Sequence, residues 1–170
     1  MINPTRYSVD GGFSVYDLVD EQDVSNIFVE KRPMLAHYCL RIETELAERG
    51  IPATVYVGFQ RLRRVRPVLS RYLKIAAAGA DIRVFGAPDQ NETPLPGVRC
   101  VALRAGDQLT REWFLVAHHP NFQRALIARE IGAPDLPHAE RTFQGVVTGD
   151  AAAIARIAQR IDDAIVEKPI

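Results

Sequence analysis

Sulfur and tryptophan are scarce in this chain, with two cysteines, two methionines and one tryptophan in 170 residues. Charge of either sign is also without excess: Lys plus Arg equal Asp plus Glu at 21 each. A protein that works on nucleic acid is usually basic overall, so the balance argues against that class. Cys39 and Cys100 form no CxxC pair and no Cys/His ligand spacing, which speaks against a structural metal site. Both read as buried, reduced thiols. No apolar run approaches the roughly 20 residues that cross a bilayer. The start, Met1-Ile2-Asn3-Pro4, lacks the basic-then-apolar pattern of a secretory signal. A cytoplasmic chain without membrane insertion is expected. HExxH, GxSxG, the zinc-deaminase pattern, the P-loop and GxGxxG are all missing, so a non-catalytic role is expected.

What is present suits one folded domain over 1–170, at 47% apolar and 25% charged residues. Residues 1–12 read as a loose N-terminal arm closing at Gly11-Gly12, followed by a short helix over Val15 to Val19 capped by Ser14. A first strand is expected at Ile27 to Val29. A long helix then starts at Pro33, carries Leu35, Tyr38, Cys39, Ile42 and Leu46 at helical spacing, and stops at Gly50. Ala53 to Phe59 is apolar at nearly every position, as in a strand covered on both faces. A second helix carries Val65, Val68, Leu69, Tyr72 and Ala76 on one stripe, with Pro67 in its first turn, and Ile82 to Phe85 is the next strand. Helix, strand, helix, strand implies a crossover between parallel strands.

Beyond Pro88 the pattern changes to a long Pro-rich loop up to Gly97, a strand at Val98 to Leu103, and a hairpin of Trp113–Ala117 and Phe122–Arg129. A last strand at Arg141–Thr148 leads into a helix capped by Asp150, which frays at Lys168-Pro169. The expected fold class is α/β, one mixed sheet with a parallel front half and an antiparallel back half, flanked by helices. About seven strands and about four helices are counted from pattern alone.

The most distinctive local feature is Gln60-Arg61-Leu62-Arg63-Arg64-Val65-Arg66, with no acid between Glu48 and Asp81. It leaves the carboxyl end of an expected parallel strand and enters a helix. Ligands of open α/β sheets bind at that edge, and helix N-termini favour anions. The alternative is a solvated helix face whose arginines pair with acids elsewhere. Phe59, Gln60, Arg63 and Arg64 are therefore candidate ligand- or partner-binding residues. Trp113, which opens a strand, is a core or rim residue or a stacking platform. Arg129-Glu130 is a charged pair at a strand end and the last of the candidates. The tandem His118-His119 sits at a hairpin tip, where successive side chains point to opposite faces, so no metal site is assigned. The sequence names no cofactor.

Glu112-Trp113-Phe114-Leu115-Val116, Leu126-Ile127-Ala128-Arg129-Glu130 and Arg141-Thr142-Phe143-Gln144-Gly145 follow one another, with Thr148 and Asp150 behind and Val57-Gly58-Phe59-Gln60 and Val84-Phe85-Gly86 ahead. In order and spacing this resembles the DICT domain, a sensory domain of diguanylate cyclases and two-component systems. The resemblance runs from about Ser14 to the final helix. It departs before Thr148, where Val147 stands in place of an expected tryptophan.

The resemblance implies a cytoplasmic input module that binds a small ligand or a signalling partner. No output module is recognised in the chain. The expected partner is therefore a histidine kinase or diguanylate cyclase in trans, and a homodimer is a further expectation. Phe59, Gln60 and the arginines would form the site, with Pro88 to Gly97 as a candidate lid. The other reading is a nucleotide- or nucleic-acid-binding regulator acting through Arg61, Arg63, Arg64 and Arg66.

Overall fold

Leu35, Cys39, Ile42 and Leu46 form the stripe that buries the first helix, α1 (Arg32–Arg49). Pro33 stands at its first turn, where a missing N–H costs nothing. Gly50 ends it at φ 59°, a left-handed cap whose N–H donates to the Leu46 carbonyl. These and the following details come from a computed structural model that describes residues 5–20, 27–88, 97–133 and 136–169.

The strands are β1 (Thr5–Ser8), β2 (Ile27–Lys31), β3 (Thr54–Arg61), β4 (Asp81–Ala87), β5 (Val98–Ala102), β6 (Glu112–His119), β7 (Phe122–Ile131), β8 (Thr142–Thr148) and β9 (Val166–Pro169). The two later helices are α2 (Leu69–Ala77) and α3 (Ala151–Ala164). Among the described residues these nine strands join one sheet in the order β2-β8-β7-β6-β3-β4-β5-β1-β9. Neighbours from β3 through β4 and β5 to β1 are parallel; those from β2 through β8, β7 and β6 to β3 are antiparallel, as is β9 on β1. The mixed α/β sheet expected from the sequence is the sheet observed.

Alternation along the strands divides the core in two. Val57, Val84, Trp113, Leu115, Leu126, Ala128 and Phe143 face α1 and α2. Tyr56, Phe85, Phe114, Val116, Ile127 and Val146 face α3 and the segment around Val9 and Val15. β3 is buried over nearly its whole length, as its unbroken apolar run required. The Asp150 carboxylate caps α3 by accepting from the Ala153 N–H at 2.7 Å.

Four local expectations change. The arm expected over residues 1–12 contains strand β1, and the tail expected to fray at Lys168 is strand β9, paired with β1 at Arg6↔Lys168 and Tyr7↔Glu167. Both are short and polar, so neither carries an alternation to read; Pro169 is tolerable because β9 is an edge strand. The second helix begins later than its apolar stripe suggests. Leu62–Val68 is a 3-10 segment holding Pro67, and regular α-helix starts at Leu69. Proline lacks the N–H for an interior helical bond and disfavours helical geometry in the residue before it. The short helix after Ser14 is a 3-10 turn, Tyr16–Leu18, with the Ser14 hydroxyl accepting from the Asp17 N–H at 3.0 Å. Residues 21–26 and most of the loop after Pro88 lie outside the described residues.

Candidate functional site

Strand direction decides which residues share the sheet edge. β3, β4 and β5 are parallel, so Gln60, Arg61, Ala87 and Leu103 emerge on one side. β6 runs against β3, with Phe114 opposite Gly58, and this brings the start of β6 to the same side. Antiparallel β7, β8 and β2 then add Glu130, Arg141 and Arg32, since Ile131 and Lys31 both stand opposite Thr142. The backbone closes the gathering: the Arg32 N–H donates to the Arg141 carbonyl at 3.2 Å.

Gln60 is the pivot of this edge. β3 slips by one residue against β4 between Gly58 and Gln60, forming a bulge, and Gln60 sits at φ 64°, in the left-handed region. Gly86 of β4 leaves room for the turn, because a Cβ there would lie 2.8 Å from the Leu62 backbone nitrogen. The turned Gln60 side chain is buried. Its amide donates to Glu130 Oε2 at 3.3 Å, and its carbonyl oxygen accepts from Arg64 Nη1. Glu130 Oε1 lies 3.5 Å from Arg141 Nε, so Arg64, Gln60, Glu130 and Arg141 form one chain of contacts.

A cleft of about 770 Å³ opens on this chain. Its described lining includes Arg61, Arg64, Arg104, Arg111 and Arg141, against the carboxylate of Glu130. Burial, together with the charges of Arg32, Arg141, Arg61 and Arg63, lowers the Arg64 pKa to about 10. Burial and the nearby Arg141 likewise push the Arg32 guanidinium down.

A second groove, about 480 Å³, lies between α1, α2 and the sheet. Trp113, Tyr72, Phe59, Leu40 and Pro67 line it, and Arg64 belongs to both lining sets. The Arg32 guanidinium lies 5.1 Å from the Trp113 ring centroid, and Phe59 meets Tyr72 edge-on at 5.8 Å. Deeper in, burial raises the Glu43 carboxyl above its ordinary range; Arg71 Nη1 lies 3.1 Å away and lowers it only in part. Burial also pushes the Cys39 thiol upward, which keeps it protonated and unreactive.

The sequence candidates divide accordingly. Gln60 and Arg64 line the cationic cleft with Glu130, whereas Phe59 and Trp113 line the groove. Arg63 is exposed and lines neither. Arg129 faces the other side of the sheet, over the Tyr16 ring at 4.3 Å and 3.4 Å from Asp17. Arg32 and Arg141 were not singled out in the sequence. Each borders a strand far in sequence from the basic run, and the strand order brings them to Arg64. Val147 lies at the end of β8 away from Arg141, paired with Leu126. The hairpin histidines sit at the opposite end of β6 from Trp113, and His119 Nδ1 accepts from the Asn121 N–H at 3.1 Å.

A family model, DICT, described as "Sensory domain in DIguanylate Cyclases and Two-component system", matches residues 12–131. The matched residues include Gln60, Arg64, Trp113 and Glu130; Arg141 and the stretch to Gly145 lie beyond them. No curated protein matches the chain. A solved structure, polyphosphate kinase from Porphyromonas gingivalis, is similar at 15% identity and a TM-score of 0.46. The similarity covers 85% of this chain and 23% of that one.

Proposed function

We propose, from the premise that this chain belongs to the DICT family of sensory domains, that it senses by reversibly binding a small anionic ligand at the carboxyl edge of its parallel strands, without turnover. The composition of the larger cleft carries the reading. Five arginines, Arg61, Arg64, Arg104, Arg111 and Arg141, meet one carboxylate, Glu130, among its described lining residues. Arg64 and Arg141 are the two of these held partly out of water; like charges so placed repel one another, and an anion between them relieves that repulsion. Burial first, and then the charges of Arg32, Arg141, Arg61 and Arg63, lower the proton affinity of Arg64, so the second part of that shift reflects the same positive potential. The volume of about 770 Å³ falls within the range of small-molecule sites.

Arginines, an amide and a carboxylate already held by Arg141 suit the holding of charge rather than proton transfer. Binding transmits a signal only by favouring one conformation over another. The Gln60–Glu130 contact joins β3 to β7, so a ligand on Arg64 pulls on both strands. A cytoplasmic signalling protein in trans, of the histidine-kinase or diguanylate-cyclase type, would read that change, as would a second copy in a homodimer.

Native mass spectrometry of freshly purified protein, then denaturation to release any bound molecule, tests the reading. A stoichiometric anion is the expected result, with a melting temperature that rises on adding phosphate or pyrophosphate. A chain that is empty, and whose melting no anion shifts, overturns it in favour of direct partner binding.

A further inference from the structure

The groove of about 480 Å³ between α1, α2 and the sheet falls within the range of small-molecule sites. Its walls are apolar or aromatic at Phe59, Tyr72, Trp113, Leu40 and Pro67, and Leu40 remains 40% exposed. Its rim is cationic at Arg32 and Arg64. Arg32 Nε is buried without a hydrogen-bond partner among the described residues, a cost unless something else meets it. Arg64 also lines the cationic cleft, and the Arg32 backbone is bonded to that of Arg141 on the cleft's wall. The aromatic groove and the cationic cleft therefore meet at one side chain.

We infer that the groove is the ring-binding half of the site proposed above, and that its ligand is a planar aromatic molecule carrying an anionic group. The ring lies among Phe59, Leu40 and Pro67 above Trp113, and the anion lies between Arg64 and Arg141. Aromatic walls and guanidinium planes both favour a flat ring, while the clustered arginines favour the charge. The inference rests on the anion-binding reading and adds the second half of the ligand.

Trp113, the only tryptophan, is a built-in reporter for the groove. Three probes separate the halves: 2-naphthyl phosphate with ring and anion, 2-naphthol with the ring alone, and inorganic phosphate with the anion alone. Binding is read by Trp113 fluorescence and by calorimetry. Ala36→Leu fills the groove from an exposed position on α1, Leu40→Phe is a second filling variant, and Arg141→Gln removes a charge from the cleft. All three variants are first checked for cooperative melting.

2-Naphthyl phosphate is expected to change Trp113 fluorescence and to bind at least about ten-fold tighter than either partial probe, a factor equivalent to about 1.4 kcal/mol. Ala36→Leu should remove that advantage and leave inorganic phosphate unaffected, whereas Arg141→Gln should weaken both phosphates. If 2-naphthyl phosphate binds no tighter than phosphate, or ignores both filling variants, the ring half is wrong and the anion reading stands. If 2-naphthol binds equally well and ignores Arg141→Gln, the groove is an independent apolar site and the joint ligand is overturned. If neither phosphate compound binds, both readings fall.

Discussion

Arg129 and Glu130 are neighbours in the chain but leave β7 on opposite faces of the sheet. Arg129 lies over Tyr16 and reaches Asp17, while Glu130 accepts from Gln60 and faces Arg141. Period-two alternation imposes this separation. It places Glu130 among the site arginines and assigns Arg129 to anchoring the segment before β2. A different role for each follows from the side to which it turns.

Replacing Glu130 with Gln keeps the shape but removes the negative charge facing Arg141. The loss should cost about 2 kcal/mol of stability, because the carboxylate is buried and contacted by two partners. Affinity for inorganic phosphate should rise, since the arginines lose their internal counterion. Arg129→Ala should leave phosphate affinity unchanged and cost under about 1 kcal/mol, because both ends of its ion pair are substantially exposed. Urea unfolding and phosphate titration of the two variants check the contrast. Equal effects on phosphate would contradict the division of roles.

Gln60 holds a left-handed backbone that its side chain does not favour. Gln60→Ala removes the amide link between Arg64 and Glu130 and keeps the strain; Gln60→Gly removes both. The glycine variant should therefore be the more stable of the two by about 1 kcal/mol, reversing the usual order for a strand. Chemical denaturation of both variants measures the difference. An alanine variant as stable as the glycine variant would mean that the φ of 64° carries no strain.

Legibility followed the range of the interactions. The stripe of α1, the caps at Gly50 and Asp150, and the apolar run of β3 are local patterns, and each element formed where its pattern lay. β1 and β9 are short, polar and paired across almost the full chain, so nothing local marks them. The site shows the same split. Gln60 and Arg64 stand in a conspicuous basic run at a strand end. Arg32 and Arg141 are inconspicuous, and reach the site only because β2, β8 and β7 are neighbours in that order. The opposite facing of Arg129 and Glu130 was implicit in strand alternation. Residues 89–96 of the proposed lid lie outside the described structure.

Glu43 gives the fold a dependence on pH. Burial raises its pKa above the ordinary 4.5, so folding favours the protonated form. The stabilisation from this group is complete below 4.5 and declines as pH rises through the folded-state value. Glu43→Gln resembles the protonated form at every pH and should remove that decline. Urea unfolding across the acidic-to-neutral range should show the wild-type stability falling relative to the variant as pH rises. A difference that stays constant, or a wild-type stability that rises relative to the variant with pH, would contradict a raised Glu43 pKa.

Arg63 and Arg64 are adjacent arginines that the sequence could not separate. Arg64 is half-buried, bonds Gln60 and lines both openings, whereas Arg63 is exposed and lines neither. If the site holds a small anion, Arg64→Gln should weaken phosphate binding by about ten-fold, the scale of one lost charge-assisted hydrogen bond. Arg63→Gln acts only through a screened charge and should change affinity by less than about two-fold at physiological ionic strength. A cationic face for nucleic acid or an acidic partner behaves differently: both arginines contribute alike, and binding falls steeply with salt. Titrations of both variants at low and physiological salt separate the cases. Equal, strongly salt-dependent losses would move the function from the cleft to the exposed face of Arg63 and Arg66.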